Sequence, residues 1–146
     1  MEQDETPMSK KVIVDNEFIT LWCDPEAGIV FHEFHKPIAG SALRDALQAG
    51  LEEMRRIGAT KWLSDDRKGH VLPEEDCVWG MESWYREVIA AGWKYWAIIP
   101  PNTPLGQLTA QRLIDDFGRE GLRVKVFSAP HLAEQWLQNC EHDIFM

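Results

Sequence analysis

The sequence predicts an α/β domain with a mixed, mostly parallel sheet of four or five strands and packed helices, in the order ββαβαβαβα. Three observations predict it. Phe18 to Cys23 and Ile29 to His35 are rich in β-branched and aromatic residues and flank Asp24-Pro25-Glu26-Ala27-Gly28, the pattern of a β-hairpin. Beyond the hairpin, segments with apolar residues at helical spacing alternate with short β-rich runs, the signature of a parallel sheet with crossover helices. Finally, Trp93 to Ile99 (WKYWAII) is too apolar on both faces for a surface strand and reads as a central one.

Each element has a local reason. Residues 1–10 (MEQDETPMSK) lack apolar periodicity and read as a disordered acidic tail. Val12-Ile13-Val14 opens the strand region of a single domain over 11–140, and 141–146 reads as a C-terminal tail. Ser41 is positioned to cap a first helix, whose stripe runs through Leu43, Ala46, Leu47, Gly50, Leu51, Met54 and Ile57 and stops at Gly58. Thr60 to Ser64 is a short strand. A polar loop follows to Asp76, a residue suited to capping the next helix, which carries Val78, Met81, Tyr85, Val88 and Ile89 and ends near Gly92. Pro100-Pro101 breaks the central strand. Thr103 with Pro104 starts a third helix, with Gly106, Ala110, Leu113, Ile114 and Phe117 on its apolar stripe and Gly121 at its end. Leu122 to Phe127 is the last strand, and Pro130 to Gln138 the closing helix.

Composition narrows the partners. The 146 residues suit one domain, and 24 acids against 15 bases give a net charge of −9. Lys10-Lys11 and Arg55-Arg56 are only pairs, so no basic patch offsets the repulsion of a phosphate backbone, and nucleic acid is not expected as a partner. Cys23, Cys77 and Cys140 are scattered, which suits a reducing compartment and shows no metal-ligand spacing. With no signal-peptide pattern and no apolar run long enough to span a membrane, a cytoplasmic protein is expected. Seven Trp, six Phe and two Tyr supply a heavy aromatic load for the core.

The candidate site is the loop 64–76. It leaves the C-terminal end of an internal strand, where open α/β sheets bind ligands, and at about a dozen residues it is long for a strand-to-helix connection. Asp65 and Asp66 could hold a hard cation or supply a base, Arg67 could hold a carboxylate or phosphate, and His70 adds a titratable ring. The competing interpretation is a solvated loop with an internal Asp–Arg pair. In the second strand, Glu33 and His35 share a face and His32 takes the other; without a third ligand they read as a polar face near the sheet edge, and no metal or other cofactor is expected. Of the tryptophans, Trp79 and Trp84 are the candidates for a pocket or partner face, because residues five apart cannot both occupy the centre of one α-helical face. Nucleotide-binding glycine loops, the GxSxG elbow and the HExxH pair are all missing.

The segments DNEFITLWCDPEAGIVFHEFHKPI, GATKWLSDDR and AAGWKYWAIIPP resemble, in this order, the bacterial SpoIIAA-like group of STAS/SEC14-type domains, over Val12 to Gln138. The resemblance implies a four- or five-stranded sheet with helices beside it. STAS anti-sigma-factor antagonists bind a protein kinase and switch by phosphorylation in an Asp-Ser-(Ser/Thr)-Gly motif. Ser64-Asp65-Asp66-Arg67 stands at that place without the phosphoacceptor, leaving Ser64 as the candidate. SEC14-type relatives carry lipids in an apolar pocket. The expected function is therefore a non-enzymatic regulatory or protein-interaction domain of STAS-like type, with a protein partner or a second copy of the chain on an exposed tryptophan face. Two alternatives stand beside it: a small-ligand or lipid-binding domain with a Trp-lined pocket, and an enzyme using the 64–70 loop.

Overall fold

The computed structural model describes residues 10–69 and 72–141. The 1–9 and 142–146 parts of the expected tails, and His70, lie outside the described residues. Six strands form one sheet in the order of the chain: β1 Lys11–Asp15, β2 Ile19–Asp24, β3 Ile29–Phe34, β4 Lys61–Asp65, β5 Tyr95–Ile99 and β6 Arg123–Val126. The first three pair antiparallel and β3 to β6 pair parallel.

The α/β class is as expected, but the strand count of four or five is corrected to six. The extra strand comes from one side chain. Asn16 Oδ1 accepts from the backbone N–H groups of Phe18 and Ile19, at 2.8 and 3.1 Å, and this local turn folds β1 back on β2. The run from Val12 to Cys23 thus becomes two strands, with a bulge where the register shifts between Val12 and Val14.

The helices are α1 Gly40–Ile57, α2 Glu74–Trp79, α3 Tyr85–Ala90, α4 Pro104–Arg119 and α5 Pro130–Asn139, with a π-helical turn Gly80–Trp84 joining α2 to α3. A right-handed crossover between neighbouring parallel strands puts its helix on a fixed face, and the strand order never reverses. The helices after β3, β4 and β5 therefore fall on the same side. Their core includes Leu21, Val30, Leu51, Met54, Trp62, Val88 and Phe117. Among the described residues, only α5 covers the other face, where Ala133, Trp136 and Leu137 pack on Ile29, Phe31, Leu63, Tyr95 and Ala97.

Two capping expectations are corrected. The N-cap of α1 is Ala39, not Ser41, and the α1 terminus is satisfied from outside: Asp76 Oδ2 accepts from Gly40 N–H at 3.1 Å. Asp76 accordingly does not cap its own helix, whose N-cap is Pro73. Thr103 does cap α4, accepting from Gly106 N–H at 2.9 Å with Pro104 in the first turn. Gly58, at φ +67°, closes α1 in the left-handed conformation that glycine adopts without strain.

Candidate functional site

Among the described residues the strand order has no reversal, and so no switch-point crevice above the strand ends. The site lies instead between the sheet and its three-helix layer. A cavity of about 240 Å³ sits over β3, β4 and β5, walled by α1, the π-turn helix and α4. Trp62, Trp93 and Trp96 come from the sheet side, Trp84 from the π-helical turn, and Ala110, Leu113 and Phe117 from α4.

The π-helical turn makes this wall. An α-helix separates positions five apart by well over a turn, whereas a turn with i→i+5 hydrogen bonds returns them to one side. Trp79 and Trp84 consequently stack, with centroids 6.4 Å apart and planes at 26°. The uniform α-helical spacing by which the two could not both occupy the centre of one face does not apply across this turn, yet they still divide between inside and outside. Trp84 is buried and lines the cavity, while Trp79 lies outside it with the Arg44 guanidinium 5.3 Å from its ring centroid. The same wide turn lets Trp84 and Tyr85 both face inward and leaves Val78 exposed.

Every indole N–H on the cavity wall is already engaged. Trp62 Nε1 donates to His32 Nδ1 at 3.0 Å and Trp84 Nε1 to the Leu47 carbonyl at 2.9 Å. Trp93 Nε1 donates to the Tyr95 carbonyl at 3.1 Å, and Trp96 Nε1 to Ser64 Oγ at 2.8 Å. What the four rings offer an occupant is carbon. Buried N–H groups paired within the protein cost little, so the wall is stable and apolar at once.

A polar pole lies at the end of the cavity nearest the strand C-termini, formed by His32, Ser64, Asp66 and Asp76. An indole N–H can only donate, so His32 Nδ1 accepts and its proton is on Nε2, which donates to Asp66 Oδ1 at 2.7 Å. Both ring nitrogens are thereby occupied. His32 can orient Trp62 and Asp66, but it has no free lone pair with which to take a proton from a substrate. Asp76 is buried and answered by Gly40 N–H and by Arg44 Nε at 3.0 Å.

The predicted residues divide among three places. Ser64, Asp66 and Trp84 meet at the cavity. Ser64 is 1% exposed, closed to a kinase in this structure. Asp65 points to the opposite face, where it takes both Arg67 Nε and Nη2, at 2.9 and 2.7 Å. That pairing raises the Arg67 pKa still further, and Arg67 borders a separate polar hollow with Asn102, Gln107 and Ser128. Asp66 therefore sits apart from Asp65 and Arg67, which pair with each other. The described residues do not contain three His, Cys, Asp or Glu placed to hold a metal ion, or a helix long and apolar enough to cross a membrane.

His32 was the residue undervalued in sequence. It belongs to an interior strand, not a sheet edge, and is buried. The available signal was a histidine on an otherwise apolar strand face, between Val30 and Phe34. Its partners Trp62 and Asp66 lie on another strand and the loop beyond it, so only folding reveals the trio.

Cys77 gives a handle on this site. It is exposed and borders the cavity, whereas Cys23 and Cys140 are buried. Partial burial, with Asp76 and Glu74 nearby, pushes its thiol pKa above the ordinary value. A raised pKa means less thiolate at a given pH, and thiolate is the reacting species. Maleimide should label one cysteine in the folded protein, more slowly than a free thiol at neutral pH. Its rate should climb about tenfold per pH unit through pH 8.5 without levelling. Mass spectrometry of the peptides checks the site, and a plateau near pH 8 would contradict the assignment.

Comparisons of the chain with protein-family models, curated proteins and solved structures find no match.

Proposed function

We propose that this domain binds a compact apolar small molecule in the tryptophan-walled cavity. The observation that carries the reading is that all four indole N–H groups on the wall are consumed by protein acceptors, leaving an apolar space lined by ring carbon. A dry cavity of about 150 Å³ is enough for benzene. At about 240 Å³ this one suits two fused rings or a short branched chain. A whole lipid would have to extend beyond it.

The test is 2-methylnaphthalene, followed by thermal shift and tryptophan fluorescence. Binding to the folded state alone raises Tm with ligand concentration, and rings so close to the ligand should report it. Ala110 is buried on the α4 side of the cavity. Ala110→Trp should fill the space and abolish both responses, at an overpacking cost of about 1–3 kcal/mol; Ala110→Leu should weaken them in a folded protein. Unchanged Tm and fluorescence in the wild type would sink the reading.

A regulatory, partner-binding role of STAS-like type is the second reading. It is supported by Leu105 and Leu108, one turn apart on α4 and more than half exposed at 56% and 51%, beside the cavity residues Gly106 and Thr109. In that reading the cavity is the sensor and the α4 surface passes its state to a partner.

A further inference from the structure

We propose that the cavity selects an amphiphile carrying a hydroxyl at one end, anchored by Asp66, and that it rejects acids. The inference rests on the small-molecule reading above and names the class of ligand.

The polar pole is asymmetric in what it leaves unfilled. Asp76 has both oxygens answered, by Gly40 N–H and Arg44. His32 has both nitrogens occupied. Asp66 differs: His32 donates to Oδ1, and among the described residues Oδ2 accepts no hydrogen bond. Asp66 lines the cavity with its side chain 24% exposed, so this second oxygen is an acceptor that a ligand donor can take in place of solvent. On the same cavity wall, Ser64 Oγ accepts from Trp96 and keeps its own proton to give.

A ligand hydroxyl answers both groups, donating to Asp66 and accepting from Ser64. A hydrocarbon leaves both unanswered. A carboxylate or phosphate would bring a second negative charge against Asp66; among the described residues no Lys or Arg lines the cavity, and Arg44 is committed to Asp76. His32 makes the anchor rigid, because its ring is fixed by Trp62 on one side and fixes Asp66 on the other.

Three probes of nearly one shape separate the possibilities: 2-methylnaphthalene, 2-naphthylmethanol and 2-naphthoate, titrated calorimetrically at neutral pH. In a cavity with apolar walls alone the alcohol binds no tighter than the hydrocarbon, because its hydroxyl must be desolvated. With the anchor, 2-naphthylmethanol should bind about fivefold tighter than 2-methylnaphthalene, and 2-naphthoate at least tenfold weaker than the alcohol. Asp66→Asn removes the charge while keeping an oxygen for His32, and should bring 2-naphthoate to within threefold of the alcohol. An alcohol no tighter than the hydrocarbon, or an acid as tight as the alcohol, overturns the anchor and leaves the apolar reading standing. Failure of all three probes overturns both. The wild-type ratios decide the matter even where the Asp66 variant folds poorly.

Discussion

Trp62→Ala is expected to cost about 4 kcal/mol of stability, the largest loss from any single truncation in this domain. Trp62 is 1% exposed and joins the sheet to the helical layer. Its ring meets Trp84 edge-on at 5.3 Å and lies 6.4 Å from Trp93, while its N–H holds His32. Truncation removes this packing, enlarges an existing cavity and strands the His32 Nδ1 acceptor. Trp62→Phe keeps most of the ring and loses the hydrogen bond, so it should cost about 1–3 kcal/mol. Urea unfolding followed by circular dichroism measures both. Comparable small losses for the two variants would mean that the ring carries little of the packing between sheet and helices.

Arg44→Met is expected to destabilise the domain by about 3 kcal/mol, far more than most changes at a partly exposed position. The cause is its partner. Asp76 is buried, and removing Arg44 leaves a carboxylate whose remaining answer is Gly40 N–H. The same pair ties the start of α1 to α2, so the loss should also loosen the cavity wall. Asp76→Leu in the Arg44→Met background should recover much of the stability, since an apolar pair in place of a buried ion pair is often neutral. A double-mutant cycle by urea denaturation gives the coupling. Additive effects would show that the ion pair is incidental.

The fold class was legible because it depends on patterns that folding preserves. Alternation from Ile19 to Cys23 puts Ile19, Leu21 and Cys23 in the helix-covered core. Helical spacing from Leu43 to Met54 correctly marks the buried stripe of α1. The stops at Gly58, Gly92 and Gly121 coincide with positive φ angles, a conformation glycine adopts freely. WKYWAII supplies an internal strand, β5, covered on both faces, although it stands next to the edge strand β6 and begins only at Tyr95. What periodicity did not show were features set by a single side chain or a single turn: the Asn16 turn that makes a sixth strand, and the π-helical turn between Trp79 and Trp84.

The candidate site divides along the same line. That chemistry-bearing residues would cluster just after β4 could be read from the chain, since strand direction and loop length are local properties. Which of them share a space could not. Asp65 and Asp66 are neighbours, yet the strand pleat turns one to Arg67 on the far face while the other meets His32 across 34 residues of chain. By itself, the sequence determined an α/β chain with an acidic surface and a tryptophan-rich interior, because composition and periodicity bound what can be buried. Only the tertiary structure decided that four of those tryptophans enclose a cavity, since that depends on where each indole N–H finds its acceptor. Those acceptors lie on other strands, on a neighbouring helix or on the returning backbone, and come within reach only once the sheet and its helical layer have closed.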